Sequence, residues 1–184
     1  MDDVRVQARL ALLVLVLGSA ACGRRHAAPH VPLKAAAPAS STALDFISNA
    51  TAVGRFEVAS GTLALARSHS DQVRAIAQMI IDDFTRTNAE LQSLAARKNL
   101  KLPLAVDAEH DHLLTELRAA RDAAFDRRYL EQQLTTHRAA IDLFANRGDQ
   151  ASDLDVRDFA DRTLVFLSKH LQHLRGLQSL VKLK

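Results

Sequence analysis

Apolar residues recur every three to four positions from Thr42 to the end of the chain, which is the period of an amphipathic α-helix. This spacing predicts a first long helix over about residues 43–67. Its apolar stripe consists of Phe46, Ile47, Ala50, Val53, Val58, Gly61, Ala64 and Leu65. A second helix is expected to begin after Ser70, a good N-cap residue, and to end near Lys98. No segment alternates apolar and polar residues with the period of two that is typical of a β-strand. The pattern therefore predicts an all-α protein.

The second half of the chain continues the helical pattern after a break at Leu102 and Pro103. We expect a short helix over residues 107–118, a third long helix that stops at Arg147 and Gly148, and a fourth that begins near Ser152. This order of elements is typical of a ferritin-like four-helix bundle, in which a longer connection joins one pair of long helices to the other. The predicted fold is this bundle with one short extra helix in the crossover.

The N-terminus has the order of an export signal: basic residues, the apolar stretch 10–17, and small residues up to Ala21. The apolar stretch is too short for a permanent membrane span, so we expect residues 1–21 to be a signal peptide. Cys22, the only cysteine of the chain, follows directly. A cysteine in this place resembles the lipobox of bacterial lipoproteins, which implies acylation of Cys22 and a partner in the membrane.

Two outcomes remain open at this end of the chain. Ser19, Ala20 and Ala21 also fit ordinary signal cleavage, which would give a secreted protein with one free thiol. If Cys22 is acylated, residues 22–43 form a flexible linker and residues 44–182 the bundle. The absence of Asp after Cys22 resembles outer-membrane lipoproteins of enteric bacteria, so we expect a periplasm-facing lipoprotein in the outer rather than the inner membrane.

Composition argues against several classes of function. The formal net charge is only +3, and Lys and Arg are scattered rather than arranged in a stripe with aromatic residues, so no nucleic-acid partner is expected. The chain contains no Gly-x-Ser-x-Gly and no glycine-rich phosphate loop. We therefore expect no catalytic residues and no enzyme activity.

Four polar residues interrupt the apolar stripes, one on each long helix: Glu57, Asp83, His137 and His170. Polar groups in a bundle core are costly unless they bind one another or a metal ion. One hypothesis is a single site for a divalent ion such as iron, manganese or zinc. The other is a buried carboxylate–imidazole network joined by the Tyr129 hydroxyl. A dinuclear centre is disfavoured, because the long helices contain no Glu-x-x-His motif.

Several segments resemble a known family, the ferritin-like domain of unknown function 4142 found in bacterial envelope proteins. They are Phe46-Ile-Ser-Asn-Ala, Gly54-Arg-Phe-Glu57, Ala77-Gln-Met-Ile-Ile-Asp-Asp83, Phe125-Asp-Arg-Arg-Tyr129 with His137, and Thr163-Leu-Val-Phe-Leu-Ser-Lys-His170. The resemblance implies a ferritin-like bundle and an exported location, but no established reaction. The chain departs from the family where Phe84 replaces a histidine, and where Leu164 and Val165 replace Leu-Pro.

A second polar cluster, residues 107–112, contains the only Glu-x-x-His spacing of the chain, Glu109 and His112. The two side chains would share a helix face, either as a surface metal site or as a solvated turn. Overall, the sequence predicts a non-enzymatic, lipid-anchored bundle with an interaction or envelope-stress role and envelope proteins as partners. The alternative is a metal-binding module for storage, buffering or oxidase-like chemistry.

Overall fold

The structure is a computed structural model, which describes residues 41–150 and 152–182, with side chains over 43–146 and 152–180. These residues form five helices: α1 (Ser41–Arg67), α2 (Asp71–Arg97), α3 (Ala108–Ala119), α4 (Asp122–Gln150) and α5 (Leu154–Lys182). No strand occurs in these two ranges, and the all-α prediction is confirmed. The predicted signal peptide, Cys22 and nearly all of the predicted linker lie outside the described residues.

The four long helices pack as two antiparallel hairpins. α1 packs on α2 and α4 packs on α5, while α1 also contacts α4 and α2 also contacts α5. The crossover from α2 to α4 runs back along the bundle and places α3 against α1 and α4. This is the connectivity of a ferritin-like bundle with one long crossover, as predicted.

Local hydrogen bonds explain where the helices begin. The Ser70 hydroxyl accepts from the Val73 N–H at 3.3 Å, and the Asp107 carboxylate accepts from the His110 N–H at 2.9 Å. Asp153 does the same for α5, accepting from the N–H of Asp155 at 3.1 Å. These side chains satisfy backbone donors that have no partner in the first helical turn. At its other end, α4 extends to Gln150 and so passes the predicted stop at Gly148.

Charged side chains tie the crossover to both ends of the bundle. At one end, the Arg67 guanidinium donates to the carbonyls of Leu117 at 3.1 Å, Arg118 at 2.8 Å and Ala120 at 2.5 Å. Carbonyls in the last turn of a helix lack intrahelical donors, so Arg67 closes the C-terminal end of α3. At the opposite end, the buried Lys98 ammonium pairs with Asp153, which joins the exit of α2 to the start of α5.

The core largely follows the predicted stripes, although some large residues outside them are also buried. Phe46 packs edge-on against Phe144, with ring centroids 5.2 Å apart, at the end of the bundle where α1 begins. Phe56 is fully buried although the predicted stripe of α1 did not include it, because α3 covers that face of α1.

Among the described residues, no helix is long and apolar enough to cross a membrane.

Candidate functional site

The four polar residues predicted to face inward lie in a row that crosses the bundle. His137 Nδ1 of α4 is 3.5 Å from Glu57 Oε1 of α1, and His137 Nε2 is 3.3 Å from His170 Nδ1 of α5. His170 Nε2 is in turn 2.9 Å from Asp83 Oδ2 of α2. Each contact joins neighbouring helices, so the row runs through all four long helices. We call these four residues the buried chain.

Glu57 is the innermost acid of the buried chain. Its side chain is fully buried, and its Oε1 accepts a hydrogen bond from the Thr136 hydroxyl at 3.0 Å. Its Oε2 has no hydrogen-bond partner among the described residues. Burial raises the pKa of Glu57 to about 8, against the opposing effect of the hydrogen bond from Thr136. The folded protein therefore keeps this carboxyl group mostly protonated at neutral pH.

The two imidazoles lack one proton for a complete set of hydrogen bonds. His137 Nδ1 lies 3.0 Å from the Gln133 carbonyl, which can only accept, and an ionised Asp83 at the other end can also only accept. Between these ends lie three contacts, yet two neutral imidazoles supply one N–H each. A third proton on the imidazoles would turn all three of these contacts into hydrogen bonds and give the histidine pair a positive charge. Without it, one contact is not a hydrogen bond.

Burial opposes the uptake of this third proton. Burial and, to a smaller extent, the proximity of His170 together lower the pKa of His137 to about 3. Burial also lowers the pKa of His170, although the hydrogen bond to Asp83 and the charge of that carboxylate work in the other direction. At neutral pH the pair is therefore neutral, and acid brings the extra proton. The Arg86 guanidinium pairs with Asp83 at the outer end of the row.

The structure corrects the predicted role of Tyr129. Its hydroxyl is fully buried but has no hydrogen-bond partner among the described residues, so Tyr129 does not join the carboxylates and imidazoles. Burial raises the pKa of Tyr129 well above its usual range, and the negative charge of Glu57 adds to this. Thr136 instead makes the hydrogen bond to Glu57. Thr136 could not be predicted from the sequence, because it precedes His137 directly and lies outside the apolar stripe of its helix.

The four residues are brought together pairwise rather than around one point. No group of three or more His, Cys, Asp or Glu side chains in the described ranges is arranged to hold a metal ion. The Phe84 ring lies 6.1 Å from the ring of His137 and 6.4 Å from that of His170, at the position where the family resemblance implies a histidine. The single-ion site stays a prediction, and so does the expectation that no dinuclear centre forms.

The second predicted cluster has a different arrangement from the one its spacing suggested. No hydrogen bond or ion pair joins Glu109 to His112, and the nearest acid to the exposed His112 is Glu116, at 3.8 Å. His110 is the member that turns inward. Its Nδ1 is 2.8 Å from the Asp107 carboxylate, and its ring lies 5.0 Å from the Phe56 ring of α1. His110 therefore helps to hold α3 on the bundle.

Comparison with known proteins identifies the family. Among solved structures, the crystal structure of a DUF305 fragment from Deinococcus radiodurans resembles the chain with a TM-score of 0.69 and 15% sequence identity, over 77% of this chain and 97% of that one. At this identity the likeness shows a shared helical fold alone. A comparison with curated proteins found no match. The sequence profile of a domain of unknown function, DUF4142, matches residues 28–177, and the chain therefore belongs to the DUF4142 family.

Proposed function

We propose that this protein is a non-enzymatic, exported helical bundle, anchored by a lipid on Cys22, with an interaction or envelope-stress role in which its stability responds to pH. One observation carries the pH response: ionisable groups from all four long helices, three of them buried, contact one another in a row. Buried groups of this kind change the free energy of unfolding when they gain or lose protons. An exported bundle with such a row would couple the acidity of its compartment to its own packing.

Burial also supports a role without catalysis. The side chains of Glu57 and His137 are 0% exposed and that of His170 is 1% exposed, so a substrate cannot touch them in this conformation. General acid–base catalysis requires the reacting proton to lie within hydrogen-bond reach of the catalytic group. Of the four residues of the buried chain, only Asp83 reaches the surface, with 21% of its side chain exposed. The row therefore suits the sensing of protons better than the chemistry of a bound substrate.

Location and pH response are tested separately. The full-length protein and its Cys22→Ser variant are expressed in a bacterial host and fractionated, and we expect only the parent protein to stay with the outer membrane. Equal retention of the variant would refute the lipid anchor. Thermal unfolding of the purified protein between pH 4 and 9 tests the pH response, and a melting temperature that is constant through this range would refute it.

A second candidate function is the binding of one divalent ion, iron, manganese or zinc. The observation that favours it is the pair of imidazole nitrogens 3.3 Å apart, with a carboxylate beyond each ring. A mixed set of imidazole and carboxylate ligands suits these ions. Metal analysis of the purified protein tests it, with the variants His137→Ala and His170→Ala as controls. A stoichiometric ion that both variants lose would favour this function over the first one.

A further inference from the structure

A cleft outside the buried chain lies between α1, α3 and α4. Its volume is about 440 Å³, which is within the range of small-molecule binding sites. Its apolar wall comes from all three helices, with Val53 from α1, Leu113 from α3, and Ala139 and Leu143 from α4. The wall can therefore receive a short hydrocarbon body.

The charge of the cleft is opposite to that of the chain as a whole. Four carboxylates line it, those of Asp107, Glu109, Glu116 and Glu131, against the single guanidinium of Arg128. The whole chain has a formal net charge of +3. Asp107 binds His110, and Glu116 lies 3.5 Å from Arg128. The structure gives no ion pair to Glu109 or Glu131 within its described residues, so two acidic groups remain uncompensated.

A buried amide in the same cleft lacks one partner. Gln132 is 5% exposed, and its Nε2 donates to the Leu113 carbonyl at 3.0 Å and to Glu116 Oε2 at 3.3 Å. These two bonds fix the orientation of the amide, while its Oε1 has no hydrogen-bond partner among the described residues. A buried acceptor without a donor destabilises the folded protein. An ammonium group has three N–H donors and no acceptor, and thus complements both Oε1 and the surrounding carboxylates.

We propose that this cleft binds a small organic cation, a primary diamine or a polyamine, whose ammonium group donates to Gln132 Oε1 and whose hydrocarbon body packs on the apolar wall. The lining carboxylates balance the charge of the ligand. A bare metal ion would leave the apolar wall without a partner. The proposal is independent of the pH response, because none of the four residues of the buried chain lines the cleft.

Isothermal titration calorimetry with the purified protein and 1,4-diaminobutane or spermidine tests this proposal. We expect one saturable site for at least one of the two probes. The double variant Glu109→Gln/Glu131→Gln should weaken it by roughly thirtyfold, or about 2 kcal/mol, since it removes two carboxylate–ammonium attractions near the surface. A matched control is Asp142→Asn, which removes one carboxylate from an exposed position of α4 outside the cleft lining and should leave the affinity unchanged.

A second control concerns the ligand. 1-Butanol has the same hydrocarbon body as 1,4-diaminobutane without its charges, and we expect no measurable binding. Absence of saturable binding by both amines would overturn the proposal. Equal weakening by the double variant and by Asp142→Asn would also overturn it, because that result means diffuse attraction to acidic groups over the whole surface.

Discussion

Raising the pH from 6.5 to 8 is expected to destabilise this protein, and Glu57 is the reason. Burial raises the pKa of Glu57 from its ordinary value of 4.5 to about 8. The folded state therefore holds a proton that the unfolded chain has already released, and stability falls as the pH rises toward 8. The change covers ~1.5 pH units at about 1.36 kcal/mol per unit, which gives a loss of about 2 kcal/mol in the free energy of unfolding.

The two histidines of the buried chain determine the pH at which the protein is most stable. Burial lowers the pKa of His137 from 6.5 to about 3, so below pH 6.5 the unfolded chain binds the extra proton and stability falls with acid. Between pH 4.5 and pH 6.5, the change in the free energy of unfolding due to His137 is opposite in sign to that due to Glu57 and of similar size. The lowered pKa of His170 acts in the same direction as that of His137. Stability should consequently be highest near pH 6.5.

The assay is thermal unfolding followed by circular dichroism at pH 6.5 and pH 8, at constant ionic strength. A loss of about 2 kcal/mol corresponds to a decrease in Tm of roughly 6 °C for a domain of this size. The variant Glu57→Gln keeps an acceptor for the Thr136 hydroxyl but cannot ionise, so its Tm should not fall between these pH values. Asp142→Asn removes an exposed carboxylate from α4 and should behave like the parent protein.

Two results would refute this reasoning. One is a parent protein that is equally stable at pH 6.5 and pH 8. The other is a Glu57→Gln variant that loses as much stability as the parent, because the titrating group would then lie elsewhere.

Four further substitutions test the packing and the site. Gly54→Ala should cost about 1–3 kcal/mol in urea unfolding, because a Cβ there would lie 1.9 Å from Asn88 Oδ1 and would disrupt the hydrogen bond from Asn88 Nδ2 to the Gly54 carbonyl. Gly176→Ala meets nothing within 4 Å and should instead stabilise α5, by about 0.5–1 kcal/mol. Arg67→Gln should destabilise the protein by about 2 kcal/mol in the same assay, since it removes a charged donor to three carbonyls. Phe84→His should lower the Tm in the absence of metal but create zinc binding. Zinc at a hundred times its Kd should then stabilise the variant by about 2.7 kcal/mol, seen as an increase in Tm. The parent protein should show no such increase.

Much of the fold could be predicted because the helices are long and their stripes regular. Ser70 was predicted as an N-cap, and its hydroxyl makes the expected bond to Val73. The end of α4 was placed too early, since Gly148 usually interrupts a helix but is tolerated here. Phe56 was missed because its burial depends on where α3 lies, and a stripe calculated from one helix contains no information about a crossover.

The candidate site could be predicted only as a set of residues. Each member of the buried chain stands out, since a polar residue on an apolar stripe is unusual. Which atoms meet depends on the rotation of each helix and on its height relative to its neighbours. Those quantities follow from packing of the whole core, and for that reason neither the order of contacts nor the role of Thr136 was visible beforehand.

The buried chain also has a consequence for the alignment of the two hairpins. Both of its carboxylates belong to the α1–α2 hairpin, and both imidazoles belong to the α4–α5 hairpin. A slip of one hairpin past the other by a single helical turn, about 5.4 Å, would break these contacts. Because α4 and α5 are antiparallel, a slip in one direction would bring Leu134 and Leu174 to the level of the acids, and a slip in the other would bring Ala140 and Leu167. Apolar stripes alone would tolerate such a slip, whereas carboxyl groups that face apolar side chains inside the bundle would not. These polar residues therefore select one register of the two hairpins among several that hydrophobic packing permits.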